Sequence, residues 1–283
     1  MGILQKLCYY KNKSDEERTS QRIQDVVGPQ YWEPVPGQKA TSNYPAGGGS
    51  YERYNADNYW QRAIDLVRKH IHIPEPAKDG LKHIHILDLG TAYGFLAERL
   101  RHAFDNDSTI KTAVEGADIA DFALQKAKEN GSSGHLVKMD LQSRKLKNDK
   151  NSGLPFADES FDAVTAHDIL EHAFGKRGEG KEDDRWNLKE IHRILKIDGL
   201  LVAQVPVMNG VGRIINSAHF DKDATHVNKP TTQEFRQSLI DSGFIVQQVR
   251  SYWNPFGTLK IPGIPVAVEF VAIKGPPVIP TAS

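Results

Sequence analysis

The sequence predicts an α/β protein built on a doubly wound, mostly parallel sheet, and three observations carry that expectation. Residues 86–100, ILDLGTAYGFLAERL, read as a buried strand, a glycine turn and a helix start in one unbroken run. Segments 114–131, 154–175 and 185–206 each pair a short apolar strand with a helix-period stretch. At 283 residues, 39% hydrophobic and 25% charged, the chain suffices for one enlarged α/β unit with a sizeable core.

Charge and cysteine content narrow the function classes. Lys+Arg 36 against Asp+Glu 36 gives no formal net charge, so no general field draws nucleic acid or an anionic membrane. The same balance gives no pointer to oligomeric state. Cys8 is the only cysteine, which removes an intrachain disulfide framework and any multi-cysteine metal site. The first residues, MGILQKLCYYKNKSDEE, hold too short an apolar run for a signal peptide or a membrane span. Lys6 stands where a myristoylation pattern wants Ser or Thr. These features lead to the expectation of a cytoplasmic protein.

Residues 1–54 read as an N-terminal arm or lid. Residues 11–50 are polar and loop-rich, with Pro29, Pro34, Pro36, Pro45 and the run Gly47-Gly48-Gly49. A bare linker has no need of Tyr31, Trp32, Tyr44, Tyr51 and Tyr54; these aromatics either close over a bound ligand or staple the arm to the domain. From Asn55 the pattern turns helical, with Tyr59, Ala63, Ile64, Leu66 and Val67 on one side. A linker through Pro74 and Pro76 leads to a first strand at Ile84; residues 55–275 read as the main domain and 276–283 as a tail.

The glycine turn after that strand constrains the cofactor. A dinucleotide site uses G-x-G-x-x-G so that the backbone approaches a pyrophosphate at a helix N-terminus. Here the pattern is Asp88-x-Gly90-x-x-x-Gly94, with Thr91, Ala92 and Tyr93 between. Close approach is kept at two points while the anion cradle is weakened, which suits a cofactor without phosphates. A nucleotide-dependent oxidoreductase would want the third glycine; a noncatalytic cofactor-binding scaffold would keep this turn equally well.

In this D-x-G-x-x-x-G form the chain resembles the class I S-adenosylmethionine (SAM) methyltransferases. AYGF followed by Leu96 is similar to the methyltransferase-11 and methyltransferase-23 type, and the resemblance covers roughly residues 55 to 275. It implies a Rossmann-like, doubly wound, seven-stranded sheet, mostly parallel with an antiparallel last strand. It also implies SAM as cofactor, a small-molecule acceptor, and cofactor contacts from Asp88, Gly90, Thr91, Ala92 and Gly94.

Later segments follow the family's order. In VEGADIADFALQKAKENG a strand ends at Asp118 and a helix begins, with capping expected from Asp121. A carboxylate at that strand end can accept both ribose hydroxyls, so Asp118 with Ile119 is the ribose candidate and Glu115, on the same strand, its rival. HLVKMDLQ is a short strand, and the resemblance gives Asp140 and the backbone of Leu141 to the adenine edge. Strand 161–166 then presents His167, at the cofactor edge, followed by Asp168, Glu171 and His172. If a helix starts at 168, those last three share one face, open to a metal or to a helix-start hydrogen-bond network; no metal site is assigned.

Residues 185–206 read as an amphipathic helix with Trp186, Leu188, Ile191, Ile194 and Leu195 inward, closed by Asp198-Gly199 before a buried strand. Glu190 and Arg193 receive no chemistry. The irregular segment 207–229 concentrates His219, Asp221, Asp223 and His226, where specificity is expected to reside. Thr231-x-x-Glu234 is a capping box for the helix that follows, and FIVQQV and PVAVEFVAI suit the final two strands. The candidate bases for a hydroxyl acceptor are His226 and His172, since imidazole accepts a proton near neutral pH; the alternative for His226 is a side chain that only hydrogen-bonds its loop in place. The resemblance of the AYGF and Thr225-His226 elements implies sugar or polyketide-like hydroxyls as the leading acceptors, with carboxyl, amine and quinol acceptors left open.

Overall fold

The computed structural model describes residues 28–33, 51–55, 59–132, 134–141, 153–173, 186–210, 213–214, 230–253, 261–262 and 266–276. Among them eight strands form one sheet in the order β3-β2-β1-β4-β5-β8-β6-β7. They are β1 (Lys82–Leu89), β2 (Ile110–Asp118), β3 (His135–Lys138), β4 (Phe161–His167), β5 (Leu195–Pro206), β6 (Phe244–Trp253), β7 (Ile261–Pro262) and β8 (Ala267–Lys274). β1 to β5 pair parallel, and β8 lies antiparallel between β5 and β6. The mostly parallel sheet with its antiparallel last strand is therefore present. The seven expected strands are joined by β7, a two-residue strand that extends the sheet along the free edge of β6.

The helices are α1 (Pro29–Trp32), α2 (Gln61–His70), α3 (Phe95–Arg101), α4 (Asp121–Glu129), α5 (Leu170–Ala173), α6 (Trp186–Ile194) and α7 (Thr232–Asp241), with a 3-10 turn at Tyr51–Asn55. They cover the sheet on both faces because strand side chains alternate. Ile84 and Ile86 of β1 join the cluster containing Leu66 and Val67 of α2 and Leu96 and Leu100 of α3. Leu87 and Leu89 join the opposite cluster, with Leu188 and Ile191 of α6 and Leu239 of α7.

Three local expectations change. α2 begins at Gln61 rather than near Asn55, because residues 51–55 form their own 3-10 turn. The N-cap of α4 is Ala120, without a side-chain cap; Asp121 is already helical and pairs with Lys138 at 2.5 Å. Asp198-Gly199 does not close α6, which passes into β5 at Leu195; the left-handed Asp198 (φ 60°) sits where the β4–β5 register shifts. The capping box forms as expected: Thr231 Oγ1 accepts from Glu234 N–H at 3.2 Å, and Glu234 Oε2 from Thr231 N–H at 2.9 Å.

Candidate active site at the strand carboxyl ends

One face of the sheet changes from apolar to polar at the carboxyl ends of its parallel strands. In β1 the residues on this face run Ile84, Ile86, Asp88; in β2, Val114, Gly116, Asp118; in β4, Ala163, Thr165, His167; in β5, Leu200, Val202, Gln204. Antiparallel β8 supplies Glu269 to the same row through its pairing with Gln204. Two residues per turn of pleat thus place Asp118, Asp88, His167, Gln204 and Glu269 at one end of the sheet, where open α/β sheets hold their ligands.

The glycine turn closes the middle of this row. Gly90 (φ 70°) and Gly94 (φ 77°) are left-handed, and so is Ala92 (φ 50°) between them. A Cβ at Gly90 would stand 2.8 Å from the Ile169 side chain, so glycine there lets β1 and the β4 exit approach. Thr91 packs into the space that Gly116 leaves open, since a Cβ at Gly116 would lie 2.8 Å from its Oγ1. Gly94 caps α3 with no side-chain bond to the helix end.

Two buried carboxylates flank the turn. Asp118 accepts Ala92 N–H at 3.0 Å on one oxygen and Ala120 N–H at 2.9 Å on the other. A carboxylate has about four lone-pair sites, so acceptor capacity remains beyond these backbone bonds. Burial raises the Asp118 pKa, against the lowering effect of the backbone N–H bonds from Ala120, Ala92 and Ile119. Asp88 accepts the Thr165 hydroxyl at 2.6 Å, and burial pushes its carboxyl up to about 6, the Thr165 bond opposing and the neighbouring Asp118 adding to the rise. Glu115 is removed as a rival ribose ligand. It lies three residues from Asp118, on the opposite face, bridging His85 at 2.9 Å and His135 at 2.8 Å.

Beyond Asp118, Met139 N–H donates to the Asp118 carbonyl at 2.9 Å, which brings half-buried Asp140 and buried Leu141 to the same end of the sheet. On the other side of the turn, β4 ends at His167 and the chain reverses at left-handed Asp168 (φ 51°) into the single turn of α5. Gln204 Nε2 donates to Asp168 Oδ2 at 2.8 Å. Asp168 therefore stands outside α5, and Glu171 is buried beside a half-buried His172, 4.0 Å between Oε1 and Nε2. The helical face expected for Asp168, Glu171 and His172 is not built. Among the described residues no group of three or more His, Cys, Asp or Glu is arranged to hold a metal ion.

The arm segments that are described lie over this end. Tyr51 stacks on Phe95 at 6.1 Å, and its ring lies 5.0 Å from Tyr93 and 5.5 Å from Trp32. Burial, with Tyr54, Asp88, Asp118 and Asp168 nearby, raises the Tyr51 phenol well above its ordinary pKa. Two bonds staple the arm, Tyr93 Oη donating to Glu33 at 2.6 Å and Trp60 Nε1 to the Tyr54 carbonyl at 2.8 Å, and Arg99 Nη2 donates to the Asn55 carbonyl at 2.7 Å just after it. Tyr51 itself is packed among these rings and stands beside the acidic row. Tyr44, Cys8, His219, Asp221, Asp223 and His226 lie outside the described residues.

Gln204, Glu269, Thr165 and Trp60 were not reached from the sequence as site residues. For Gln204 and Thr165 a signal existed, a polar residue continuing an apolar period-2 face at a strand's end. Glu269 gave none, because its membership depends on β8 running antiparallel.

The residues fit a sulfonium cofactor better than a dinucleotide. A pyrophosphate placed on the turn would face two carboxylates, whereas a cationic sulfonium and ammonium are attracted to them. The family model described as a methyltransferase domain, of the methyltransferase-11 type, matches residues 87–203, the span from β1 through β5. That match, with the fold, supports a class I SAM-dependent methyltransferase with SAM as its methyl donor.

Solved structures share the fold. A chain from the Haloferax volcanii complex of the Trm112 methyltransferase activator with a methyltransferase is 18% identical, covers 80% of this chain and 97% of its own length, and superposes with a TM-score of 0.54. A SAM-dependent methyltransferase from Thermotoga maritima is 18% identical over 79% of this chain and 94% of its own, with a TM-score of 0.52. One from Methanosarcina mazei is 17% identical over 74% and 97%, also at 0.52. No curated protein sequence matches the chain. No helix among the described residues is long and apolar enough to cross a membrane.

Proposed function

We propose that this methyltransferase acts on a hydroxyl of a small-molecule acceptor, a sugar or polyketide-like alcohol, with residues 55–275 as the catalytic domain and residues 1–54 as the arm that covers it. Asp118 takes the ribose diol, with Ile119 beside it. Asp140 and the Leu141 backbone take the adenine edge, and Asp88, Gly90, Thr91, Ala92 and Gly94 line the path between. When bound, SAM supplies an electrophilic methyl on a sulfonium. The residues of this chain then orient the acceptor, exclude water and take one proton. Holding an acceptor at near-attack distance contributes roughly 7 to 11 kcal/mol, so most of the protein's task is placement.

The observation that carries this reading is the position of the imidazoles. Gly90 and Ile169 are in tight contact, so β4's exit, with His167 before it and His172 after it, lies directly against the cofactor turn. An imidazole there is suited to accept a hydroxyl proton, and His172 is the described candidate. His226 is the second candidate base, on its sequence context, and His167 lines the cofactor edge.

The test is a SAM-dependent methyl-transfer screen across sugar and polyphenol alcohols, amines and carboxylates, followed by pH–rate profiles of His172→Ala and His226→Ala. Transfer to alcohols, with loss of the rate's basic dependence in one of the two variants, supports the reading. Transfer confined to amines or carboxylates, or profiles unchanged in both variants, overturns it.

A further inference from the structure

We propose that the Arg62–Glu269 ion pair, a half-buried guanidinium on a buried carboxylate, is a positioning element for the acceptor side of the site, fixing α2 so that Trp60 closes against His167. This rests on the reading that the acceptor lies at the exit of β4, which His167 precedes and His172 follows. Glu269, 1% exposed, receives Arg62 Nε at 2.9 and 3.0 Å on its two oxygens and Nη2 at 2.5 Å. The pair joins positions 207 apart in sequence.

The contacts around the pair close into a circuit. Glu269 is register-paired with Gln204, so both side chains lie on one face. Gln204 donates to Asp168 at 2.8 Å. His167 precedes Asp168 and is itself register-paired with Gln204. The Trp60 ring meets His167 edge to face, 6.0 Å between centroids at 87°. Trp60 is the N-cap residue of α2, two positions before Arg62, and returns the circuit to the ion pair.

Adhesion alone does not require a charge pair here. Ala63, Ile64, Leu66 and Val67 already bury the apolar side of α2. Burying a carboxylate carries a desolvation penalty that apolar residues of similar volume would avoid. What the guanidinium adds is a rigid fork with defined direction, which sets the placement of the helix start rather than its affinity for the sheet. Trp60 Nε1 is held separately by the Tyr54 carbonyl, so arm and sheet fix the same ring from two sides.

The test uses the full-length protein, isotope-labelled, with S-adenosylhomocysteine (SAH) as the probe. Proton cross-peaks between the His167 and Trp60 rings are recorded in wild type, Arg62→Lys and the double variant Arg62→Met with Glu269→Leu. Thermal unfolding and SAH calorimetry are measured alongside. We expect cross-peaks in wild type and their loss in both variants, with both folded and the SAH affinity unchanged within about twofold. If Arg62→Lys does not fold, the double variant, which leaves no charge unpaired, carries the result. Wild-type cross-peaks persisting in the folded double variant, their absence from wild type, or a fall in SAH affinity matching the loss of the contact overturns the proposal. Absence of SAH binding to wild type would instead count against the cofactor-site reading, while the ring contact would still report on the ion pair.

Discussion

The carboxylate of Asp118 holds the backbone N–H of Ala92 at 3.0 Å, tying the end of β2 to the middle of the glycine turn. One side chain thereby shapes the turn and keeps lone pairs for a ligand. Asp118→Ala removes both functions. SAH affinity is expected to fall at least tenfold, about 1.4 kcal/mol, by calorimetry. Leaving the N–H groups of Ala92 and Ala120 unpaired is expected to cost about 1–3 kcal/mol in urea unfolding. Asp118→Asn, which keeps a carbonyl acceptor, should lose affinity with a smaller stability change. Equal SAH affinity in all three proteins would contradict this placement of the ribose.

Gly90 combines a left-handed φ of 70° with contact against Ile169. Gly90→Ala is therefore expected to destabilise by about 3 kcal/mol, from backbone strain and overpacking together. Adding Ile169→Ala relieves the overpacking and leaves the strain. The double variant should be less destabilised than the sum of the single variants by about 1 kcal/mol or more, measured by denaturant unfolding. Strict additivity would show that the close approach is unimportant.

Asp88 gives an inverted pH dependence. Its folded-state pKa of about 6 lies above the ordinary 3.8, so between those values the folded state binds the proton more tightly than the unfolded chain. The stability from this proton is fully present below about pH 4 and lost as pH rises through about 6, up to about 3 kcal/mol. Asp88→Asn stays neutral throughout. Its stability relative to wild type is expected to rise from pH 4 to pH 7 in the absence of SAM. A stability difference that is flat over that range would refute the assignment.

Glu190 and Arg193 form a structural clamp. Arg193 pairs with Glu190 at 2.9 Å, donates to the Phe156 and Leu154 carbonyls at 2.8 and 3.0 Å, and reaches Asp158 at 2.6 Å; Glu190 accepts Leu154 N–H at 3.0 Å. Together they fix the segment leading into β4. Arg193→Ala leaves Glu190 buried without its cation and is expected to cost about 3 kcal/mol. Chemical denaturation measures the loss, and a change below about 0.5 kcal/mol would place the pair among ordinary surface contacts.

Much of the fold was legible in the sequence because its signals are local. The period of two in β1, the glycine turn, and the Thr231–Glu234 capping box depend on neighbours a few residues apart. The same holds for Asp88, Gly90, Gly94 and Asp118, each at a strand end or turn that the pattern itself marks. The boundaries that moved did so under tertiary influence: Asp198-Gly199 resembles a helix stop, yet pairing with β4 draws Leu195–Lys196 into the strand.

By itself the sequence determined the α/β alternation, the phosphate-poor turn and the carboxylates beside it, since hydrophobic period, glycine conformation and charge are properties of short segments. Only the tertiary structure decided that β8 inserts antiparallel beside β5, that Glu269 thus joins the row of His167 and Gln204, and that Arg62 and Trp60 close over it. It also decided that Tyr51, from the arm, lies within electrostatic range of Asp88, Asp118 and Asp168. Such pairings depend on register between distant strands and on burial that compels a carboxylate to find its cation, and neither is written in the spacing of neighbouring residues.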